Sequence, residues 1–261
     1  MRKTLVITGA SKGIGKAIAR EFANLGMNLA IGARNKELLV DAGNEISKEY
    51  GVEVLCLRLD VGIKEECERF VREVLEHFGK VDVLVNNAGV GLYGLIKDID
   101  AEEFDVAMKT NVYGPFWMIQ AVMPSMITQK SGTVINISSV VGKVSLPFMG
   151  VYAATKFAVN ALSKALRGEL KSFGIHTILV MPGVIATDFE KNAIGRYQQI
   201  TTESIKANPE KLAKKVLKAY KRGKDTVIYP LWYAPIISII NTLPKTSEKL
   251  TYKFLKRHLP R

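Results

Sequence analysis

The chain has 261 residues, 48% of them hydrophobic and 24% charged, with a formal net charge of +12; that length buries a full core, and the composition of an ordinary soluble globular protein excludes disordered and low-complexity architectures. The charge is uneven: residues 1–205 hold 23 Lys and Arg against 22 Asp and Glu, whereas residues 206–261 hold 14 against 3, so a nucleic-acid reading rests on the tail alone, where no recognition motif occurs. The N-terminus lacks a signal peptide's apolar core and cleavage pattern, and Cys56 and Cys67 lack metal or redox spacing, which favours a reducing, cytoplasmic setting.

In chain order, short β-branched runs at 5–8, 28–33, 54–59, 81–85, 133–137 and 176–181 predict strands. Amphipathic stretches at 15–25, 36–49, 64–78, 102–129 (in two segments) and 152–173 predict helices between them, with Gly26, Gly51, Gly79, Gly132 and Gly174 marking the boundaries. The strands are apolar throughout rather than alternating, as when helices cover both faces of a parallel sheet. Repeated βα units with right-handed crossovers then give a single doubly wound, Rossmann-type α/β domain over 1–261, with ligands at the carboxyl ends of the strands. A helix at 210–222 and a strand at 226–229 complete the sheet. The apolar run 230–244 is too short and too Pro-broken to span a bilayer. Residues 245–261 set Leu250, Phe254 and Leu255 among lysines and arginines.

The first strand ends in Thr8-Gly9-Ala10-Ser11-Lys12-Gly13-Ile14-Gly15, directly before a helix. Glycines there permit a tight turn and let a pyrophosphate approach the helix N-terminus, whose N–H groups and dipole favour an anion. Tyr152 and Lys156 stand at i and i+4, on one face of a predicted helix. A nearby cation lowers a phenol's pKa, which makes tyrosine usable as an acid and base near neutrality. Ser139, ending a neighbouring strand, is placed to hydrogen-bond a substrate oxygen. Paired histidines and HxxxH spacing do not occur, so a metal mechanism has no support in the sequence.

The TGxxxGxG spacing resembles the short-chain dehydrogenase/reductase family. So do Asn86-Asn87-Ala88-Gly89, Asn111, Ser138-Ser139, Tyr152-Ala153-Ala154-Thr155-Lys156, and Pro182-Gly183 with Thr187, all in the family's order across residues 4–190. The resemblance implies a cofactor and catalytic core over 1–190 and a nicotinamide dinucleotide held by Gly9, Ser11, Lys12, Gly13, Ile14 and Gly15. Asp60 and Val61 would hold the adenine, and Asn87, Ala88, Gly89, Pro182, Gly183, Val184 and Thr187 would line the remainder with Tyr152 and Lys156. It implies Asn111, Ser139, Tyr152 and Lys156 as catalytic residues. Lys156 would bind the ribose hydroxyls, and Asn111 would hold a water that relays protons. The family's serine lies thirteen positions before its tyrosine, which selects Ser139 over Ser138. Where NAD-dependent members carry Asp at the end of the second strand this chain has Ala33, followed by Arg34. With Lys12, Arg34 would meet a 2′-phosphate, so the expected cofactor is NADP(H). Asp60 could equally cap the next helix.

Ser139, Val141, Phe148, Met149, Tyr152 and Phe189 outline an apolar substrate rim, which suits a hydrophobic ketone, aldehyde or secondary alcohol. In the family, the segment matching 188–208 is a mobile lid; from sequence alone, lid and surface loop are equivalent readings. The expected activity is NADP(H)-dependent carbonyl–alcohol interconversion. The alternatives are a 3-oxoacyl-thioester (acyl-carrier-protein) reductase and a non-catalytic NADP(H) sensor. Members usually form homodimers or homotetramers. The extension at 230–261 either covers a subunit interface or the substrate mouth, attaches peripherally to a membrane, or docks an acidic carrier.

Overall fold

Each central strand is apolar on both sides, and its two sides are buried against different helices. In β1 (Thr4–Thr8), Leu5 and Ile7 face one core and Val6 the other; in β4 (Val83–Asn86), Val83 and Val85 divide from Leu84 in the same way. One face is covered by α1 (Gly13–Asn24), α2 (Lys36–Tyr50) and α7 (Pro209–Lys221), through Ile18, Phe22, Leu39, Ile46, Leu212 and Val216. The other is covered by α3 (Lys64–Phe78), α5 (Gly114–Gln129) and α6 (Gly150–Leu170), through Phe70, Val74, Met118, Val122 and Leu170. Packing on both faces is why these strands read as continuous apolar runs.

The computed structural model describes residues 2–197, 206–243, 249 and 251–253. Its remaining strands are β2 (Asn28–Ala33), β3 (Val54–Arg58), β5 (Gly132–Ile137), β6 (Ile175–Pro182) and β7 (Thr226–Tyr229). All seven run parallel in the order β3-β2-β1-β4-β5-β6-β7. This is the expected Rossmann-type fold. The order reverses between β1 and β4, and an open α/β sheet gathers ligands in the crevice at that reversal.

Most elements match the sequence reading to within two residues at each end. The stretch 102–129 departs from it in an informative way. α4 (Ala101–Met108), closed at its start by a reciprocal Asp100–Glu103 capping box, runs into α5 through a π-turn at Lys109–Tyr113 rather than a break. A π-turn is a one-residue widening that turns a chosen side chain inward, and here that side chain is Asn111. The Pro-containing run after β7 folds into one more short helix, α8 (Tyr233–Thr242). No helix among the described residues is long and apolar enough to cross a membrane.

A buried amide chain fixes the right-hand half of the sheet. Asn86 Nδ2 donates to Asn136 Oδ1 at 2.9 Å, and Asn136 Nδ2 donates to Ser163 Oγ at 2.9 Å. These bonds tie β4 to β5 and β5 to α6. All three side chains are buried, so each bond also satisfies groups that would otherwise be costly to leave unpaired.

Candidate active site

The glycine turn sits at the reversal point. Gly9 (φ +67°) and Gly13 (φ +58°) take the left-handed conformation that side chains disfavour. A Cβ on Gly15 would collide with the Gly9 carbonyl and the Asn87 amide, so the turn and the first turn of α1 close on each other. No side chain caps the N-terminus of α1, which leaves its first N–H groups and positive dipole end for an anion. Asn87, expected to line the cofactor, instead donates Nδ2 to Thr8 O (2.9 Å) and Gly9 O (3.0 Å), while Thr8 Oγ1 accepts from the Asn87 and Ala88 N–H groups. Its side chain therefore holds the glycine turn in shape.

Beside the turn, a cleft of about 460 Å³ is lined by Lys12, Gly13, Lys16, Thr187 and Asp188 among others. The Lys12 ammonium lies 3.8 Å from the Asp188 carboxylate, with both side chains about half exposed. So Lys12 faces the segment after β6. An exposed pair of this kind contributes little to stability, so a stronger anion can displace it. Arg34 stands exposed immediately after β2, and Ser11 and Ile14 flank the turn. Asp60 accepts from Gly62 N–H at 2.9 Å, which makes it a turn residue ahead of α3 and not the helix cap, since Ile63 stands at that position and no side chain caps it. The Val61 side chain is buried in the core under α3 and α5.

At the other side of the crevice the structure brings Ser139, Tyr152, Lys156 and Asn111 together. Ser139 Oγ donates to Pro182 O (3.3 Å) and accepts from Val141 N–H (3.3 Å), and its hydroxyl stands close enough to Tyr152 to favour the phenolate. Ser138 points away and donates to Lys156 O. Lys156 Nζ donates to Ile137 O at 3.1 Å and lies 5.7 Å from the Tyr152 ring centroid. The absent side chain of Gly89 keeps this floor open, since a Cβ there would stand 3.2 Å from Asn111 Oδ1 and 3.6 Å from Lys156 Nζ. Burial raises the Tyr152 phenol well above its usual value, with the Ser139 hydrogen bond opposing the rise, and burial lowers Lys156 to about 8. Burial thus outweighs the depression of the phenol expected from the lysine. Lys156 is turned to the backbone of β5, and desolvation dominates both groups. At neutral pH Tyr152 is a protonated donor beside a cation.

Asn111 spends its side chain on the chain itself. Nδ2 donates to Val90 O (2.8 Å) and Thr155 Oγ1 (3.1 Å), and Oδ1 accepts from Val90 N–H (2.8 Å). The π-turn thus clamps the loop after β4 to α6; for the expected water, only the second lone pair of Oδ1 is left on this side chain.

The substrate side is more aromatic than the sequence implied. Val141, Tyr152, Met149 and Phe189 join one cluster with Tyr93, Val140, Val144, Tyr197, Tyr233 and Ile237. Phe148, buried with φ +66°, meets Tyr197 edge-on and stacks on Tyr252 (centroids 5.7 Å apart). Tyr93 packs edge-on against Tyr152 (centroids 6.0 Å apart), and burial raises its phenol well above the usual value, with Tyr152 and Glu190 adding to the rise. Gly183 lies under the Tyr233 ring, and the Tyr233 hydroxyl accepts from Val184 N–H at 3.4 Å. Tyr93, Tyr197, Tyr233 and Tyr252 went unseen in the sequence, because no period or motif ties them to the site. Of the lid at 188–208, residues 198–205 lie outside the described residues. The described ends are bridged to Leu92 through Ile194 and to Ile185 through Ala207, and the nearly buried Glu190 and Lys206 pair at 3.7 Å.

The comparisons with known proteins agree with this geometry. The family model described as short chain dehydrogenase matches residues 3–197. The chain is 39% identical over 188 residues to a 3-oxoacyl-[acyl-carrier-protein] reductase FabG of Staphylococcus epidermidis, covering 72% of this chain and 77% of that one. An alcohol dehydrogenase from the archaeon Thermococcus sibiricus, solved with 5-hydroxy-NADP, superposes with a TM-score of 0.79 at 34% identity, covering 87% of this chain and 96% of that one. A short chain dehydrogenase/reductase from Burkholderia phymatum, solved with NAD, gives 0.87 at 26% identity and 95% coverage of each chain. With its seven-stranded parallel sheet and its glycine turn at the reversal point, the chain belongs to the short-chain dehydrogenase/reductase family of oxidoreductases.

Proposed function

We propose that this oxidoreductase uses NADP(H) to interconvert a hydrophobic ketone or aldehyde and its alcohol, with Tyr152 as the acid and base. The observation that carries the reading is the meeting of Ser139, Tyr152 and Lys156, all buried, at the carboxyl ends of β5 and β6. The glycine turn, the α1 N-terminus without a side-chain cap and the open floor at Gly89 fit a dinucleotide laid across the reversal point. Ala33 and the exposed Arg34 favour its 2′-phosphorylated form. Bound NADPH supplies the hydride. Ser139 orients the substrate oxygen, Tyr152 gives it the proton, and the Lys156 ammonium favours the phenolate that results. Two of the three Lys156 N–H groups remain for ribose hydroxyls after the bond to Ile137 O. Among the described residues, the aromatic and aliphatic walls exclude water and add no fixed charge for an anionic substrate. The direct test is a purified-protein assay over aliphatic, aromatic, steroid and acyl-thioester carbonyls with NADPH and NADH in parallel; no turnover of any of them would remove the reading.

The rate of reduction should follow Lys156. Because its ammonium is lost as pH rises through about 8 while Tyr152 stays protonated, kcat for reduction is expected to be level at neutral pH. Above that midpoint it should fall by about tenfold per pH unit. Lys156→Arg, which stays charged, should lose that alkaline limb in whatever activity it retains; a wild-type profile level to pH 10 would contradict the assignment.

A second reading, reduction of a 3-oxoacyl thioester, is favoured by the likeness to the staphylococcal reductase. The thioester arm of the assay separates the two. For self-association, the exposed apolar side chains Phe104, Val106, Tyr113 and Phe116 on α4, the π-turn and α5, with Phe157 and Leu162 on α6, supply a face for a second copy. Sedimentation equilibrium should show a dimer or tetramer that Phe116→Glu with Phe157→Glu weakens; an unaltered mass in that variant would clear this face of the role.

A further inference from the structure

α8 is apolar on two faces. Tyr233, Ile237 and Ile240 pack inward, into the cluster that holds Tyr152, Val141 and Phe189. The outer face carries Trp232, Ile236, Ile239 and Leu243, with Leu231 just before, at 47%, 40%, 59%, 56% and 74% exposure. Their helical spacing makes one exposed apolar stripe beside the buried one, and such a stripe normally meets a partner.

Charge identifies the partner. Ahead of α8, Lys211, Lys214, Lys215, Lys218, Lys221, Arg222 and Lys224 are all exposed, against Glu210 and Asp225. After it, residues 245–261 hold six Lys and Arg against one Glu. A second copy would carry the same cationic surplus and be repelled by it. Five side chains also fall far short of the roughly 20–30 residues a side that a stable protein interface uses. An anionic bilayer meets both properties, taking apolar side chains into the headgroup boundary and cations at its phosphates. Trp232 suits that depth, where indole rings concentrate.

We infer that α8 docks the enzyme on an anionic lipid surface, with its outer stripe in the headgroup region and its inner face roofing the substrate site. Docking is transmitted to the site by contact. Trp232 stacks on Tyr233 (centroids 3.9 Å apart), and the Tyr233 hydroxyl holds the Val184 N–H. An apolar carbonyl dissolved in the bilayer then reaches Tyr152 from the lipid side. That last step rests on the proposed function; the docking does not.

The test is co-sedimentation of the full chain with vesicles of equimolar phosphatidylglycerol and phosphatidylcholine, beside vesicles of phosphatidylcholine alone, at low and high salt. Binding to the anionic vesicles is expected to be about tenfold or more tighter and to weaken with salt, as the cations near the surface require. Ile239→Asp with Leu243→Asp should reduce it by about tenfold or more, because carboxylates resist the apolar boundary. The thermal midpoint and the turnover of a water-soluble ketone without vesicles should stay at wild-type values. Absence of binding to anionic vesicles overturns the inference, as does undiminished binding by the double variant. A variant that instead loses self-association, or the capture of an acidic acyl-carrier protein, would assign the stripe to a protein and overturn it equally. A protein that binds vesicles but reduces no carbonyl keeps the docking and removes the function.

Discussion

Tyr152→Phe is expected to lower the rate of ketone reduction by about 10²–10⁴-fold, the usual contribution of a positioned general acid, with NADPH affinity unchanged. The substitution removes one oxygen and little else. The Tyr152 ring is packed against Tyr93 and Phe189 at centroid distances of 6.0 and 5.9 Å, and both contacts survive in a phenyl ring. Ser139 keeps its bonds to Pro182 O and Val141 N–H, so the substrate-orienting hydroxyl stays in place. The loss therefore belongs to proton delivery and should appear in kcat. Stopped-flow or steady-state NADPH oxidation reads the rate, and quenching of protein fluorescence reads binding. Undiminished turnover would mean that Tyr152 is not the acid. Turnover absent in both wild type and variant, with NADPH bound by both, would favour a cofactor sensor.

The second large effect concerns the cofactor's far end. Replacing Ala33 by Asp and Arg34 by Ala together is expected to raise the KM for NADPH by about 10–100-fold, the worth of one lost charge-assisted hydrogen bond plus a like-charge contact. The same change should improve NADH, because a carboxylate at the end of β2 accepts from a ribose 2′-hydroxyl but repels a 2′-phosphate. Ala33 is 9% exposed and closes β2 in register with Arg58 of β3, so the new carboxylate stands at the rim of the crevice. With NADPH, kcat should hardly change, since the lost interaction is made equally in ground and transition states. Equal wild-type efficiency with NADH and NADPH would sink the case built on Arg34 and Lys12.

The sheet was legible because its signals are local and redundant. Each strand is a run of β-branched residues, each helix has a stripe, and the glycine turn joins them at the reversal of strand order, where open α/β sheets take ligands. Ser139, Tyr152 and Lys156 were legible because one helix turn separates two of them and a strand end supplies the third. Other features were hidden for physical reasons. A π-turn leaves no trace in a 3.6-residue period, so 102–129 reads as a helical region in two segments with nothing to mark the turn at Asn111. The direction of the Tyr152 shift depends on how deeply phenol and ammonium are buried, which spacing alone cannot show. Asn87 carries a recognisable motif, yet its donors go to Thr8 and Gly9, a choice made by the fold rather than by the motif. The walls contributed by Tyr93, Tyr197 and Tyr233 come from segments distant in sequence. Their meeting is a property of the crossovers.

The amide chain Asn86–Asn136–Ser163 acts as a gauge block between two halves of a tool. The glycine turn is anchored on β1 and β4, whereas Ser139, Tyr152 and Lys156 ride on β5 and α6. In the proposed reaction the two halves must address the two ends of a single carbon–oxygen bond, where a working geometry tolerates only about 0.5 Å. Apolar packing alone is forgiving about sliding; a row of directional amide bonds is not. A slip of one residue between β4 and β5 would unmake the Asn86–Asn136 link and part the hydride side from the proton side. The three side chains spend these bonds on one another, and in doing so they set the span across which the two halves must act.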